Sequence, residues 1–359
     1  MTMRKWAWAV GVLVAGVAIG GAVAVASSPS SLNPDRHQSS GVQLPTPSPV
    51  PSPSPTVTTR GILGVSPRLL TNGSSTLIAL GANLTIVSAD GGRTWTTIQP
   101  PANGVGIAVD PSNPRHAITG GYPIQVTENA GAAWTPQLSA PPGKGPYEPL
   151  GISPIEPNTW LFEHQGRLLI THDGSSTWSD LSGLPSLASP VVAFGQAVGQ
   201  FFIGIGNRVF ALSSYGQNVT EEPSLTQGAP SELAVAGGNR LTLLARVPGH
   251  GVFVFDGAGW TPAGAAFGGP VAGGSGGTMV IGNGGDKLGT PGLVVYSTSA
   301  KGPWLQATGL PPDQTVEALA GLPASATFFA YSEGGDIYSS TDGGRDWTLV
   351  TRALRSPSG

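Results

Sequence analysis

The feature that most constrains this chain is a short motif that returns at a nearly constant interval. Four clear copies follow the pattern S/T-x-D/N-x-G-x-x-W, and they read SADGGRTW, TENAGAAW, THDGSSTW and STDGGRDW. They end at Trp95, Trp134, Trp178 and Trp347. Three degenerate copies, SSYGQNVT, FDGAGW and STSAKGPW, end at Thr220, Trp260 and Trp304. The chain therefore carries seven repeats of one structural unit.

Neighbouring copies end 39, 44, 42, 40, 44 and 43 residues apart. A period of about 40 to 45 residues is the span of one four-stranded propeller blade. Each repeat supplies a small apolar run, two bulkier runs joined by a Gly- or Asn-containing turn, and a fourth run that begins at the final position of the motif. The small runs, which suit the crowded strands nearest a propeller axis, are predicted at 61–67, 106–111, 150–154, 191–195, 232–237, 270–274 and 317–321.

A single blade cannot bury both of its faces, so the repeats are stable only as a closed ring. The sequence predicts an all-β, seven-bladed β-propeller of four-stranded antiparallel blades over residues 60–354, followed by a tail over 355–359. Composition agrees, because 54 glycines and 34 prolines suit many short strands joined by tight turns, and 39% hydrophobic residues can fill a core.

Charge and cysteine content exclude several classes of function. Charged residues make up 10% of the chain, the net charge is −3, and no basic cluster occurs in the repeats. Nucleic acid is therefore not an expected partner. With no cysteine in the chain, disulfides, thiolate metal sites and cysteine nucleophiles are excluded.

The N-terminus predicts export across a membrane. Arg4 and Lys5 precede an uncharged run over residues 6–26, close to the ~20 residues that span a bilayer as a helix. By the positive-inside rule the N-terminus stays in the cytoplasm and the repeats lie outside it. Residues 1–26 are thus predicted as a single-pass signal-anchor in the cell membrane. The alternative is a signal peptide, because Ala24-Val25-Ala26 matches a cleavage site and would release a secreted protein after Ala26.

Residues 27–59 read as a disordered stalk between the membrane segment and the ring. They are rich in Pro, Ser and Thr, a composition that favours extended polyproline II over a packed core. A spacer of this kind suits a ring that is held away from a membrane.

The repeats resemble the Asp-box, or BNR, repeat of sialidases, sortilin-type receptors, xyloglucan-active glycosidases and photosystem-assembly-factor-like propellers. The resemblance extends over the whole repeat region. It implies the propeller fold, but this superfamily contains enzymes, receptors and assembly factors, so the resemblance indicates fold more strongly than function.

The motif residues are predicted to be structural. The Asp or Asn accepts hydrogen bonds from its own turn, glycine permits the turn's backbone, and the Trp packs beside the next element. This set is Ser88, Asp90, Gly92, Trp95, Thr127, Asn129, Gly131, Trp134, Thr171, Asp173, Trp178, Trp304, Ser340, Asp342, Gly344 and Trp347. Ser175 departs from the glycine pattern.

If the strands A to D of each blade zigzag outward, the A–B and C–D turns share one face and the B–C and D–A connections share the other. The motifs are C–D turns, and resemblance to sialidases implies ligand binding near the axis on the opposite face. Candidate ligand residues there are Tyr122, Lys144, Tyr147, Glu148, Glu163, His164, Arg246, His250, Asp286, Lys287, Asp313, Glu317 and Glu333.

Signatures of catalysis are sparse. The resemblance to sialidases implies an Arg-Ile-Pro segment and an arginine trio, but the nearest segment is Arg60-Gly61-Ile62, and Arg93 and Arg345 lie inside motif turns. The histidines show no metal-ligand spacing and no phosphate loop occurs. We therefore expect no catalytic residue, metal or cofactor.

A glycoside hydrolase nevertheless stays open, because it needs only two carboxylates ~5 to 10 Å apart. Glu148 with Glu163, Asp286 or Asp313 supplies such pairs in principle.

These observations favour a non-catalytic, membrane-anchored and monomeric propeller that binds a protein or a cell-envelope glycan through its B–C and D–A face. A glycoside hydrolase is the first alternative, sialidase-like or active on β-glucans. An assembly factor for a membrane complex is the second, and it predicts a flat charged patch on one side of the ring.

Overall fold

A computed structural model of the chain describes residues 68–73, 75–80, 85–137, 143, 145–181, 183–186, 189–238, 241–264, 267–283 and 293–352. The predicted membrane segment, the stalk and the C-terminal tail lie outside these residues. Within the described ranges, no helix is both long enough and apolar enough to cross a membrane.

The described residues form seven four-stranded sheets, which are the blades of a propeller. Blades 1 to 4 contain β1 (Arg68–Thr71), β2 (Leu77–Leu80), β3 (Thr85–Ser88), β4 (Thr96–Ile98); β5 (Val105–Val109), β6 (Ala117–Gly120), β7 (Gln125–Thr127), β8 (Thr135–Pro136); β9 (Glu148–Ile152), β10 (Trp160–His164), β11 (Arg167–Thr171), β12 (Ser179–Asp180); β13 (Val191–Phe194), β14 (Phe201–Ile205), β15 (Arg208–Ser213) and β16 (Asn218–Glu221). Blades 5 to 7 contain β17 (Glu232–Ala236), β18 (Thr242–Val247), β19 (Gly251–Phe255), β20 (Trp260–Pro262); β21 (Val271–Gly273), β22 (Met279–Ile281), β23 (Val295–Ser297), β24 (Leu305–Gln306); β25 (Val316–Gly321), β26 (Phe328–Ser332), β27 (Asp336–Ser340) and β28 (Thr348–Arg352). A 3-10 turn (Ser275–Gly277) precedes β22.

Within every blade, consecutive strands pair antiparallel in chain order. The first strands of neighbouring blades contact one another and line the axis. The prediction of an all-β propeller with seven four-stranded antiparallel blades is confirmed.

The hydrophobic core lies between the blades. Seven clusters of buried side chains occur, and each combines residues from two neighbouring blades. One cluster joins Leu69 and Ile86 of blade 1 to Ala320 and Phe329 of blade 7, so the ring closes through apolar burial. Among the described residues every blade is one contiguous stretch of chain, and blades 7 and 1 meet at this seam through side chains.

The inner strand of blade 1 differs from the prediction. The run 61–67 was expected to form it and lies outside the described residues, whereas the described strand β1 is Arg68–Thr71. The turn after β1 fixes its pairing with β2. The Asn72 side chain accepts hydrogen bonds from the backbone N–H of Ser75 and Thr76, both at 3.0 Å, which brings β1 and β2 together.

The motif turns hold themselves closed with their own polar side chains. In blade 1, Ser88 donates to Asp90 at 2.8 Å and accepts from the backbone of Gly92 at 2.7 Å, while Asp90 accepts from the backbone of Thr94 at 2.8 Å. The same pattern recurs around Asn129, Asp173 and Asp342. These contacts satisfy turn N–H groups that would otherwise lack partners.

The third motif turn tolerates a serine where the pattern has glycine. Ser175 adopts a φ of 81°, in the left-handed region that glycine occupies at low cost. Its hydroxyl donates to Gln137 of blade 2 at 2.8 Å. The departure from the pattern therefore adds a bond between blades.

The motif tryptophans pack toward the preceding blade, whereas we expected them beside the next element. Trp95 contacts the cluster shared by blades 7 and 1, Trp134 that of blades 1 and 2, and Trp178 that of blades 2 and 3. Trp134 also donates its indole N–H to the carbonyl of Gln99, at the end of blade 1, at 2.9 Å. Each motif thus fastens its own blade to the one before it.

Candidate functional site

The antiparallel order of the strands gives the ring two chemically different faces. We call the face with the A–B and C–D turns the box face, since it carries the motif turns. The face with the B–C and D–A connections, where the candidate ligand residues were predicted, is called the loop face. The predicted residues that the structure describes lie in B–C hairpins, in D–A connections or at the adjoining strand ends.

Three aromatic rings meet on the loop face between blades 2 and 3. Tyr147 stacks on His164 with ring centroids 4.3 Å apart, and Tyr122 lies 6.4 Å from Tyr147. Tyr147 is fully buried and donates its hydroxyl to the carbonyl of Gly143 at 3.0 Å. Tyr122 is 55% exposed, so it is the part of this stack that a ligand can reach.

His164 holds the stack in place from below. Its Nδ1 lies 3.1 Å from the carbonyl of Pro146, and since a carbonyl only accepts, Nδ1 carries the hydrogen. His164 is 3% exposed. Tyr147 and His164, both predicted to contact a ligand, therefore support Tyr122 from within the core. Burial lifts the pKa of the Tyr147 hydroxyl, with a further contribution from Tyr122.

Two carboxylates lie at the same end of blade 3 as Tyr147 and His164. Glu148 and Glu163 are directly opposite each other on β9 and β10, a register that puts Cβ atoms about 4.5 to 5.5 Å apart. Glu148 is exposed, and Glu163 accepts a hydrogen bond from the backbone N–H of Gly166. Because successive side chains alternate across a strand, these carboxylates and the aromatic rings leave blade 3 on opposite sides.

Charged residues also gather where the inner strands begin, at the axis on the loop face. We call this group the axial mouth; its members are Arg68, Glu232, Arg246, Glu317 and Glu333. Arg246 faces Glu232 across the β17–β18 pair and donates from Nε to the carbonyl of Gly268 at 2.8 Å. Glu232 accepts from the backbone N–H of Val271 in the next blade at 3.3 Å.

Burial in the axial mouth raises the pKa values of Glu232 and Glu317. Burial raises the pKa of Glu232 to about 7, against the opposing effect of the positive charges of Arg246 and Arg68. Burial and the neighbouring Glu333 raise the pKa of Glu317. Burial, together with Glu317, raises the pKa of Tyr331 to about 12. A desolvated carboxyl group with a strongly raised pKa, as at Glu232, is typical of functional sites.

Sequence reasoning missed Arg68 and Glu232. Glu232 and Glu148 occupy the first position of an inner strand, and Arg68 is the first described residue of another. A charged residue at the loop-face end of an otherwise apolar inner strand is the signal that identifies them.

The other predicted loop-face residues are dispersed around the ring. His250 in the hairpin of blade 5 and Asp313 in the connection between blades 6 and 7 are exposed. Lys144, Asp286 and Lys287 lie outside the described residues. Among the residues that the structure describes, no group of three or more His, Asp or Glu side chains is arranged to hold a metal ion.

On the box face the motif carboxylates are committed to their turns. Desolvation raises the pKa of Asp173, but hydrogen bonds from Thr177 and Thr171 outweigh it and lower the pKa to about 2. The pKa values of Asp90 and Asp342 are likewise lowered, since bonds within each turn outweigh desolvation. Such carboxylates stay ionised and have few lone pairs left for a substrate.

Comparison with solved structures finds other propellers. YCF48 from Cyanidioschyzon merolae is 16% identical, with 74% of this chain and 90% of that chain covered and a TM-score of 0.47. The GH74 enzyme of Niastella koreensis is 15% identical, with 82% and 43% covered and a TM-score of 0.49. The Cps50 (Swd1) β-propeller domain of Myceliophteria thermophila is 11% identical, with 79% and 98% covered and a TM-score of 0.50.

At these identities the similarities concern the fold alone, and this chain spans under half the length of the GH74 enzyme. No family model and no curated protein matches this sequence. The chain is thus a seven-bladed β-propeller whose function has to be argued from its own side chains.

Proposed function

We propose that this protein is a non-catalytic, extracytoplasmic binding propeller, anchored by residues 6–26, that engages a protein or a cell-envelope glycan through its loop face. The observation that carries the proposal is the 55% exposure of Tyr122 on a buried aromatic support. A tyrosine fixed in this way offers a large contact area at little cost in conformational entropy, which is why tyrosine is enriched in binding sites.

Polar groups elsewhere on the loop face support the same proposal. Glu148 and Glu163 supply hydrogen-bond acceptors at the same end of blade 3, and the axial mouth adds both signs of charge nearer the axis. An aromatic anchor with a polar border is the usual anatomy of a recognition surface. The alternative role as an assembly factor is one form of this binding function.

Photo-crosslinking in the producing cells tests the proposal directly. A photoreactive benzoylphenylalanine replaces Tyr122 in the full-length protein, and the matched control carries it at Leu305, which is 48% exposed on an outer strand. We expect a discrete adduct from position 122 and none from position 305. The mass of the adduct distinguishes a protein from a glycan. Equal adduct patterns from both positions would refute a loop-face site.

The membrane anchor is tested by the N-terminus of the mature protein. Anchoring predicts a membrane-bound chain that still contains residues 6–26, as measured by intact mass after fractionation. A soluble chain that begins at Ser27 would show cleavage and leave only the binding part of the proposal.

A glycoside hydrolase is the second candidate, and the opposed pair of Glu148 and Glu163 is the observation that favours it. Hydrolysis needs one carboxylate as an acid and the other as a nucleophile or base. Incubating the full-length protein with sialosides and β-glucan oligosaccharides decides between the two functions. Turnover that disappears in Glu163→Gln would replace binding by hydrolysis, whereas binding without turnover supports the first proposal.

A further inference from the structure

A recess lies on the box face, away from every predicted ligand residue. It opens between the turns of blades 2 and 3 and encloses about 430 Å³. Its walls include the turn between β5 and β6, the motif turns of both blades, and Pro157 and Asn158. We call it the inter-blade cleft.

A buried carboxylate fixes a histidine at the wall of the inter-blade cleft. Asp110 is 1% exposed and accepts hydrogen bonds from the backbone N–H and the hydroxyl of Ser112, at 2.7 and 2.6 Å. Its second oxygen lies 3.2 Å from Nδ1 of His116. Desolvation raises the pKa of Asp110, but the bonds from His116 and Ser112 outweigh it and lower the pKa overall. An ionised carboxylate only accepts, so Nδ1 carries the hydrogen.

His116 lines the cleft, and its other ring nitrogen, Nε2, has Glu128 as its charged neighbour. The side chain is 8% exposed, and among the described residues Nε2 makes no hydrogen bond. The nearest charged atom is Oε1 of Glu128, at 3.8 Å, which is too long for a hydrogen bond. When the ring is neutral with its hydrogen on Nδ1, Nε2 is an acceptor. In that form, Nε2 and the Glu128 carboxylate are two acceptors 3.8 Å apart at the wall of the cleft.

The charge of the cleft has the same sign throughout its described lining. Asp110, Glu128 and Asp173 contribute carboxylates, and no lysine or arginine lies among the lining residues. Glu128 is 73% exposed in its side chain and stands at the rim, where an incoming group meets it first. An anion would be repelled here, whereas a cation that also donates hydrogen bonds would satisfy both acceptors.

We propose that the inter-blade cleft binds an organic cation with N–H donors, that is, an ammonium or guanidinium group, with His116 Nε2 and Glu128 as the accepting pair. The group belongs either to a lysine or arginine of a partner or to a free amine. In both cases Asp110 positions the imidazole. This site is on the opposite face from the proposed loop-face site and is independent of it.

Titration of the full-length protein tests this site with four probes: N-acetyl-arginine amide, N-acetyl-lysine amide, spermidine and tetramethylammonium. The readout is the NMR signal of the His116 ring, with calorimetry for affinity. We expect saturable shifts with the first three probes. Tetramethylammonium carries the same charge without N–H donors and is expected to bind at least tenfold more weakly.

Two exposed glutamates give a matched pair of variants. Glu128→Gln is expected to weaken binding at least fivefold, because it removes the charge beside Nε2, whereas Glu221→Gln, on the outer strand β16 of blade 4, leaves binding unchanged. Since Glu128 is exposed, its variant folds even if a change at His116 does not. Tighter binding of the acetylated amino-acid amides than of spermidine assigns the site to a partner's side chain, and the reverse order assigns it to free amines.

Three outcomes would overturn the proposal. Equal binding of tetramethylammonium would show mere charge attraction, and equal affinities of the two glutamine variants would place the site elsewhere. Shifts of His116 with Zn²⁺ but with none of the amines would make the pair a metal half-site instead.

Discussion

The pKa values of carboxyl groups are lowered on the box face of the ring and raised on the loop face. On the box face, hydrogen bonds within the motif turns lower the pKa of Asp90, Asp173 and Asp342. At the axial mouth of the loop face, burial raises the pKa of Glu232 and Glu317. The first group stabilises the fold by being ionised, and the second is held at a cost to stability. Carboxyl groups retained against such a cost are better candidates for function.

The largest expected effect concerns the box face. Trp347 is 3% exposed, fills the seam between blades 6 and 7, and donates its indole N–H to the carbonyl of Gly344 at 2.8 Å. Trp347→Ala removes this packing, so we expect a loss of about 3 to 5 kcal/mol in the free energy of unfolding, measured by urea denaturation of the full-length protein.

Trp134→Ala is the matched control, because Trp134 occupies the same motif position but is only partly buried. A clearly smaller loss is expected there. Equal losses would mean that the motif tryptophans act through something other than burial in the seam.

The second effect tests the cost of burying charge at the axial mouth. With a folded pKa of about 7 against an ordinary 4.5, Glu232 stays protonated in the folded state while the unfolded chain ionises. Its contribution to stability is complete below about 4.5 and is lost as the pH rises toward 7. Glu232→Gln should abolish this loss, a gain on the order of 1 to 3 kcal/mol at pH 8 relative to pH 4.5.

Thermal melts of the wild-type and Glu232→Gln proteins between pH 4.5 and 8 measure this difference. The two curves are expected to diverge as the pH rises. Parallel curves across the whole range would show that Glu232 ionises as freely in the folded protein as in the unfolded chain.

The third effect concerns the charge of a motif turn. Asp173→Ala leaves the backbone N–H of Thr177 and two hydroxyls without their acceptor, a loss of about 1 to 2 kcal/mol. Asp173→Asn retains one oxygen acceptor, as Asn129 does in blade 2, and should cost less. Urea denaturation at pH 7 compares the two variants, and equal losses would show that charge rather than hydrogen bonding closes the turn.

The pH dependence of Asp173 has the opposite sign to that of Glu232. Its pKa is about 2 in the folded state against 3.8 ordinarily, so the unfolded chain takes up the proton first. The stability it contributes is present above about 3.8 and is lost as the pH falls toward 2. Acid unfolding should therefore show a shallower loss in Asp173→Asn than in the wild type, and identical acid transitions would contradict the shift.

The fold could be predicted because it depends on local repetition. Motif copies such as those ending at Trp95 and Trp347 recur at blade spacing, and an isolated blade cannot be stable, so the ring follows. What local pattern could not place was the first strand. The described strand β1, Arg68–Thr71, is joined to β2 by the turn that Asn72 holds, whereas the prediction relied on the apolar character of 61–67.

The site was harder to predict because closure of the ring brings distant residues together. Glu232 of blade 5 is influenced by Arg68 of blade 1, a proximity that no spacing in the sequence reveals. Burial is equally hard to predict from the sequence. Tyr147 was predicted as a ligand residue, but it lies in the core. The pairing of Asp110 with His116 was missed because a six-residue separation within a Pro-rich turn has no recognised motif.

The smallest expected effect on stability is that of a change at Tyr122. The same change is expected to have a large effect on binding, which distinguishes the loop face from the box face. Its ring is 55% exposed, so Tyr122→Ala should change the free energy of unfolding by less than about 0.5 kcal/mol. Binding should respond strongly, because the variant removes the exposed anchor while Tyr147 and His164 stay in place. With a photoreactive group at the neighbouring Glu148, adduct yield is expected to fall at least fivefold in Tyr122→Ala.

Tyr147→Phe is the converse control, since it keeps the buried ring and removes the hydroxyl that donates to the carbonyl of Gly143. It should lower stability by about 1 kcal/mol and leave the adduct yield near that of the wild type. If the yield falls in Tyr147→Phe and not in Tyr122→Ala, the exposed ring is not the anchor. That result would contradict the assignment of structural residues to the box face and of the ligand anchor Tyr122 to the loop face.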